Sequence, residues 1–199
     1  MIFKATVLTA CFAAASFTSA ASANVPDSGT LQFDVVRKGK DIGDISYVFQ
    51  GPTANVKVQI NTNVAVKVPL LGTKLYRFEQ ASIEHWQSGQ LSSVKSKTND
   101  NGDPHKMSSG ATNLIPASLW NAKIVTQSRL LNTIDGSIMD VQFSNLGSET
   151  VLAKGQNIQA THYRMSGDLK RDLWFDDKGV LVRVKFKAED GTDVTYIRK

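Results

Sequence analysis

The sequence predicts an all-β fold in which a curved, mainly antiparallel meander closes into a barrel or half-barrel. Apolar and polar residues alternate along most of the chain after residue 31, as in strands with one buried face. No segment of ten or more residues shows helical periodicity, so crossover helices and a parallel sheet are not expected. The longest alternating run, residues 56–68, would span about 43 Å at about 3.3 Å per residue, long enough to bend between two sides of a curved sheet.

The predicted strands follow one another through short turns. The sequence pairs Ser88-Gly89, Asp135-Gly136 and Asp190-Gly191 predict hairpin turns, because glycine accepts the positive φ that such turns require. In chain order, we predict strands at 31–35, 42–49, 56–68, 73–87, 90–98, about 129–134, 137–144, 149–153, 157–166, 169–176, 180–188 and 193–198.

The stretch between residues 99 and 124 is the least strand-like part of the chain. Residues 99–104 form a loop by composition, and Pro116 favours one short helical turn over 116–121. The otherwise polar stretch carries four large apolar residues. We interpret it either as a flexible lid over the opening of the sheet or as core that plugs the sheet. The four residues are Leu114, Ile115, Leu119 and Trp120.

The amino terminus has the composition of a cleavable signal peptide. One positive charge at Lys4 precedes the short apolar run 5–17, and Ala-Ser-Ala at 21–23 fits the site of a signal peptidase. We therefore predict a signal peptide over 1–23 and a single β-domain over 24–199, exported to a bacterial periplasm or secreted. The alternative is a lipoprotein that begins at Cys11, the only cysteine of the chain.

The composition excludes several classes of protein. With 41% hydrophobic and 21% charged residues, the chain is neither disordered nor of low complexity. The formal net charge of +5 at pH 7 is a mild bias, and there is no stacking motif, so no nucleic-acid partner is expected. No apolar stretch after the signal peptide is long enough to anchor the chain in a membrane, so an integral membrane protein is not expected.

The sequence motifs predict no catalytic residue, metal ligand or cofactor. The chain has no Gly-x-Ser-x-Gly or His-Glu-x-x-His motif, and its three histidines lack metal-ligand spacing. His162 shares a strand face with Ile158 and Ala160, which favours a core or cavity position. Two carboxylates around Trp174 could hold a sugar, but a solvated strand face explains them as well. Those carboxylates are Asp172 and Asp176.

Short motifs along the chain resemble a family of exported bacterial proteins catalogued as domain of unknown function 6134. The resemblance covers nearly the whole mature chain and implies a periplasmic or envelope β-protein, but it carries over no catalytic residues. The motifs are Gly39-x-x-Ile42-Gly43, Glu84-x-Trp86-x-x-Gly89-x-Leu91, Thr98-Asn99-x-Asn101-Gly102, Ser118-x-Trp120-Asn121, and Tyr163-x-x-x-Gly167-x-Leu169-x-x-Asp172-Leu173-Trp174-Phe175-Asp176.

Three classes of function fit these observations. The first is binding or carriage of a lipid or other amphipathic small molecule on the inner face of the curved sheet. The second is a structural or assembly factor that pairs a sheet edge with an envelope protein, and the third is a hydrolase of an envelope glycan or peptidoglycan. We rank them in that order. The predicted ligand-binding residues are Trp86, Leu114, Ile115, Leu119, Trp120, His162 and Trp174.

Overall fold

The computed structural model describes residues 25–69 and 73–199, so the predicted signal peptide lies outside the described residues. Within them, 13 strands form one sheet, and a short 3-10 helix, η1, follows β7. The all-β prediction is therefore confirmed. The elements are β1 (Thr30–Arg37), β2 (Lys40–Gln50), β3 (Asn55–Pro69), β4 (Thr73–Gln87), β5 (Gln90–Asp100), β6 (Asp103–Ser109), β7 (Ile115–Pro116), η1 (Ala122–Thr126), β8 (Arg129–Leu131), β9 (Ile138–Ala153), β10 (Gln156–Gly167), β11 (Arg171–Phe175), β12 (Leu181–Lys187) and β13 (Asp193–Arg198).

The first and last strands pair in the middle of the sheet. The strand order is β6-β5-β4-β3-β2-β1-β13-β12-β11-β10-β9-β8-β7. Neighbouring strands are antiparallel except β7 and β8, which are parallel. Among the described residues, backbone hydrogen bonds do not close the sheet, because β6 and β7 remain its two edges. The meander is confirmed, and closure into a full barrel is not.

Side chains join the two distant halves of the sheet. The carbonyl oxygen of Thr133, in the β8–β9 turn, accepts hydrogen bonds from Ser96 Oγ on β5 and, at 3.3 Å, from Gln80 Nε2 on β4. In the strand order β8 lies far from β4 and β5, so these contacts require the sheet to curl. The result is a barrel-like shape with the apolar inner faces of both halves turned toward each other.

Four two-residue turns connect the strands most tightly. Each has two residues with positive φ, which matches the right-handed twist of the flanking strands. They are Lys38-Gly39, Ser88-Gly89, Asn101-Gly102 and Lys154-Gly155. The predicted polar loop 99–104 is therefore wrong in extent, because only Asn101 and Gly102 leave the β5–β6 hairpin. The turns at Gly136 and Gly191 keep positive φ but belong to longer connections than predicted.

Three boundaries differ from the sequence prediction. The helical turn predicted over 116–121 is wrong, because Pro116 lies in β7 and η1 begins at Ala122. Asn121 caps η1, since its Oδ1 accepts the Lys123 backbone N–H at 3.1 Å. The segments 137–144 and 149–153 form one strand, β9. Residues 103–109 add the strand β6, which the sequence pattern does not predict.

The segment 110–128, here called the plug, fills the space inside the curled sheet. Its backbone bonds to the sheet at the short strand β7, at a bridge between Thr112 and Leu91, and at its end, where the Ser128 carbonyl oxygen accepts the Val141 N–H. Its large apolar side chains pack against the inner faces of β1–β5 and β8–β13 in one core cluster. The large apolar plug residues that are fully or nearly fully buried are Ile115, Leu119, Trp120 and Ile124.

Candidate functional site

A buried carboxylate and two tryptophans link the plug to the sheet. Glu84 Oε2, on the inner face of β4, accepts the indole N–H of Trp86 and that of Trp120, each at 2.9 Å. Trp86 lies on the same strand face because strand side chains alternate, whereas Trp120 comes from the plug. The two indole rings contact edge to face with centroids 5.5 Å apart, and Phe49 contacts Trp120 in the same manner at 5.1 Å.

A second hydrogen bond fixes the plug next to this cluster. Tyr47 Oη on β2 donates to the carbonyl oxygen of Ser118 at 2.9 Å. Leu119, between Ser118 and Trp120, has φ +69°, an unfavourable backbone conformation for a bulky residue. This conformation allows Ser118 to meet Tyr47 while Trp120 meets Glu84. The plug is therefore held against β2 and β4 by side-chain hydrogen bonds, which sustain the strained backbone conformation of Leu119.

Glu84 is fully buried, and only one of its oxygens is satisfied. Oε1 has no hydrogen-bond partner among the described residues. Burial raises the carboxyl pKa above its ordinary value of 4.5, while the nearby Ser118 side chain and the two indoles act in the opposite direction. A buried carboxyl group with an open acceptor position is costly to keep in a core. Glu84 is thus the chemically exceptional group of the interior.

The raised pKa of Glu84 predicts a specific pH dependence of stability. The folded carboxyl binds its proton more tightly than the unfolded one, so this stabilisation is complete below pH 4.5 and is lost as the pH rises through the folded pKa. We expect the free energy of unfolding, measured with urea, to fall as the pH rises above about 5. The decrease should be at most about 1.4 kcal/mol per pH unit. In Glu84→Gln this component should be absent.

Glu79→Gln is the matched control, because Glu79 is on the same strand but its side chain is 44% exposed. This variant should keep the pH dependence of the wild type. If Glu84→Gln retains the full pH dependence, the carboxyl of Glu84 is not responsible for it.

An open cleft separates the plug from the opposite wall of the sheet. It measures about 470 Å³, within the range of small-molecule sites. Ala122 and Val125 of the plug form one side, and Tyr163 of β10 and Phe175 of β11 form the other. The β11–β12 turn, residues 176–179, closes one end with polar groups. We call this opening the plug cleft; its remaining lining residue is Thr161.

The structure divides the seven predicted ligand-binding residues between two faces of the sheet. Five lie in the interior, where Trp86, Ile115, Leu119 and Trp120 are buried and Leu114 packs at the margin of the core. His162 and Trp174 lie on the outer face, in a separate small cluster. The prediction thus grouped two sets of residues that the fold places on opposite faces of the sheet. None of the seven lines the plug cleft.

The outer cluster surrounds His162 with two carboxylates. Its Nε2 lies 3.0 Å from Asp172 Oδ1, and its Nδ1 lies 3.3 Å from Glu149 Oε1. The ring stacks on Trp174 with centroids 4.2 Å apart, and the Arg183 guanidinium lies 5.9 Å from the indole centroid. His162 shares its face with Ile158 and Ala160 as the sequence pattern indicates, but this face is the outer one, so the histidine lies outside the main core and not in a core or cavity position.

The carboxylates considered for glycan chemistry do not converge on one another. Trp174 is only 5% exposed, so its ring offers no open face to a sugar. Asp176 lies in the β11–β12 turn, where Oδ1 accepts the backbone N–H groups of Lys178 and Val180. Asp172 lies on the outer face of the sheet, where Oδ1 contacts His162. The two carboxylates therefore occupy separate environments.

The described part of the chain shows neither a metal-binding cluster nor a membrane-spanning helix. There, no group of three or more His, Cys, Asp or Glu residues is arranged to hold a metal ion. Among residues 25–69 and 73–199, no helix has the length and apolar composition needed to cross a membrane.

Sequence reasoning missed the residues that shape the interior from a distance. Tyr47 appeared only as an apolar strand position, although its hydroxyl holds Ser118. Ala122 and Val125 carry no chemical signal, yet they line the plug cleft. The motif residues of the family resemblance did contain part of the answer, because Glu84, Trp86 and Trp120 are joined by hydrogen bonds.

Comparison with known proteins places the chain in one family. Its curled sheet and filled interior define a β-barrel-like domain. The family model described as "Domain of unknown function (DUF6134)" matches residues 33–199, so the chain belongs to this family, and the resemblance seen in the sequence is confirmed.

A solved structure supports the fold. The chain is similar to the "Beta-barrel-like Protein of Domain of Unknown Function DUF1849 from Brucella abortus", with a TM-score of 0.56 and 6% identity over 85% of this chain and 94% of that chain. At this identity the likeness shows the fold alone. No curated protein matches the sequence.

Proposed function

We propose that the protein is exported to the periplasm and there binds an amphipathic molecule whose apolar part enters the plug cleft. The observation that carries this proposal is the opening of about 470 Å³ between Ala122 and Val125 on the plug and Tyr163 and Phe175 on the wall. Concave, partly apolar openings of this size are the usual sites of small molecules. The signal-peptide pattern at 1–23 supports export.

The construction of the plug supports an interior that can adapt to a ligand. The plug is fastened to β2 and β4 through the Tyr47–Ser118 and Glu84–Trp120 hydrogen bonds, rather than through a strand ladder. Leu119 holds a strained backbone conformation between these bonds. A small shift of the plug would enlarge the cleft without breaking the backbone pairing between the long strands.

The edge strand β6 argues against the alternative of strand pairing with an envelope protein. Pro104 lacks the N–H that a partner strand needs, and Lys106 places a charge on the same edge strand. Both features deter pairing at sheet edges. We therefore rank an assembly factor below a binding protein, and a glycan hydrolase below both.

The proposal is tested with the neutral apolar probe N-phenyl-1-naphthylamine and mature protein, residues 24–199. The fluorescence of the probe is excited at wavelengths that tryptophan does not absorb. We expect saturable one-to-one binding by the wild type and at least a tenfold loss in Ala122→Trp, because the larger side chain fills the cleft. Ala111→Trp is the matched control, since Ala111 is an exposed plug residue that does not line the cleft, and it should bind as the wild type does.

Circular dichroism and thermal melting must first show that both variants are folded. Equal binding by all three proteins, or no binding by the wild type, would overturn the proposal. Native mass spectrometry of protein recovered from a periplasmic fraction then identifies the mature terminus and any retained ligand together. A mature chain that begins at Asn24 is expected. An acylated chain that begins at Cys11 would instead show that the protein is a lipoprotein.

A further inference from the structure

A second cleft lies on the other side of the β11–β12 turn from the plug cleft. It measures about 430 Å³ and shares Asp176, Asp177 and Lys178 with the plug cleft. The amino-terminal stretch, the β2–β3 turn, the β9–β10 turn and the last strand all contribute to it. We call it the terminal cleft; its other lining residues are Val25, Pro26, Asp27, Ser28, Thr53, Lys154, Gln156, Ile158, Val180 and Arg198.

Arg198 is the exceptional residue of the terminal cleft. Its side chain is only 7% exposed, although arginine is rarely buried without a partner. The register pairs Arg198 with Phe33, a core residue of β1. Among the described residues its ionic partner is Asp176, whose Oδ2 lies 3.9 Å from Nη1, beyond hydrogen-bond distance. This contact satisfies none of the five guanidinium N–H donors.

The carboxylates of the terminal cleft do not form a close ion pair with Arg198. Asp176 already uses Oδ1 for two backbone N–H groups of its own turn. Asp27 forms an exposed ion pair with Lys178 at 3.0 Å, and Asp177 is exposed. Burial lowers the pKa of Arg198, an effect that Asp176 opposes. The cleft therefore carries balanced charges at its rim, and its wall contains the Arg198 guanidinium, which Asp176 does not reach within hydrogen-bond distance.

The β9–β10 turn brings further polar groups next to Arg198. The backbone N–H of Lys154 donates to the carbonyl oxygen of Arg198 at 2.8 Å, which fixes this turn to the end of β13. Lys154 also lines the cleft, together with the Gln156 amide and the Thr53 hydroxyl. The Ser28 hydroxyl, in contrast, already donates to the carbonyl oxygen of Thr30. A cation, an amide and a hydroxyl in the same cleft as a buried guanidinium are groups that suit an oxyanion.

We propose that the terminal cleft binds an anionic group, a carboxylate or a phosphate, through the guanidinium of Arg198. A bidentate pair would supply the hydrogen bonds that Arg198 lacks at 3.9 Å from Asp176. The inference rests on the proposed function in one respect: the anion is the headgroup of the molecule whose apolar part enters the plug cleft. The β11–β12 turn lines both clefts and would lie between the two parts of that molecule.

The anion site is tested by calorimetric titration of mature protein with inorganic phosphate. We expect saturable binding by the wild type, at least a tenfold loss in Arg198→Gln, and a smaller loss in Arg198→Lys, which keeps the charge but not the fork of donors. Arg164→Gln is the matched control, because it removes the same charge from a 59% exposed outer-face residue. Equal binding by Arg198→Gln and Arg164→Gln, or none by the wild type to phosphate or to anionic vesicles, would overturn the inference.

A second variant keeps the test decisive if Arg198→Gln does not fold. Lys154→Asn removes a cation from the cleft, and asparagine tolerates the positive φ of 53° at this position. It should weaken phosphate binding about threefold. Unchanged binding in both Lys154→Asn and Arg198→Lys would contradict the site.

Two further measurements separate the source of the anion and the two proposals. Sedimentation with phosphatidylglycerol vesicles, but not with phosphatidylcholine vesicles, supports a lipid headgroup if Arg198→Gln abolishes it. Phosphate binding without sedimentation would support the anion site with a free anion as its ligand and would contradict the assignment of the anion to a lipid headgroup. Binding of N-phenyl-1-naphthylamine should be unchanged in Arg198→Gln. If the wild type does not bind this probe but does bind phosphate, the proposed function is refuted while the anion site is still supported.

Discussion

Replacing Trp120 by alanine is expected to lower the free energy of unfolding by about 3–5 kcal/mol. The side chain is fully buried, contacts Phe49 and Trp86, and donates a hydrogen bond to Glu84. Its removal leaves a large cavity between the plug and β4 and takes one of two hydrogen bonds from a buried carboxyl group. Urea denaturation at constant pH measures the change.

Trp120→Phe separates packing from hydrogen bonding at the same position. Phenylalanine keeps an aromatic ring, although a smaller one, while the indole N–H is lost, so the cost should be about 1–3 kcal/mol. A loss below about 1 kcal/mol in Trp120→Ala would contradict a plug that belongs to the core. Such a result would favour the other interpretation of the sequence, in which this segment is a lid.

Replacing Gly43 by alanine is expected to be of comparable severity, about 2–5 kcal/mol, because it combines backbone strain with a steric clash. Gly43 has φ +148°, and an added Cβ would lie 1.9 Å from the carbonyl oxygen of Asn63 and 2.8 Å from Val64 Cα. Both atoms belong to the backbone of β3, so β2 and β3 would have to separate locally. Thermal and urea unfolding should agree on the loss.

Gly39 offers the matched control for this substitution. It also has a positive φ, +71°, but an added Cβ would meet nothing within 4 Å. Gly39→Ala should therefore cost only the conformational penalty, about 1–2 kcal/mol. Equal losses in the two variants would show that the close approach of β3 does not matter.

The sequence predicts β3 well, because alternation depends on one buried face alone, whereas β9 was predicted as two strands. The alternating positions between residues 56 and 68 all fall within β3. The edge strand β6 was missed for a physical reason: Asp103, Pro104 and Lys106 resemble a loop, yet charge and proline are also what sheet edges carry. The 3-10 helix begins later than predicted because the cap residue Asn121, and not Pro116, determines where it starts.

The interior was predictable only in part. Alternation placed Glu84 and Trp86 on one face, and composition identified the apolar residues of the plug. Their hydrogen-bonded contact depends on how the plug threads through the curled sheet, which no local pattern encodes. Arg198 and Ala122 gave no signal at all, because an isolated arginine and an isolated alanine acquire meaning only from the cleft they line.

The pairing of β1 with β13 at the centre of the sheet has a consequence for how the chain acquires its structure. Strands β1–β6 and β7–β13 each follow one another along the sheet, and among the described residues strand pairing joins the two series between β1 and β13, where residues such as Phe33 and Arg198 pair. This contact has nearly the greatest sequence separation that the chain allows, and such contacts slow folding. Until β13 is in place, β1 presents an unpaired apolar edge that is open to aggregation. The last six-residue strand therefore decides when the whole sheet becomes continuous.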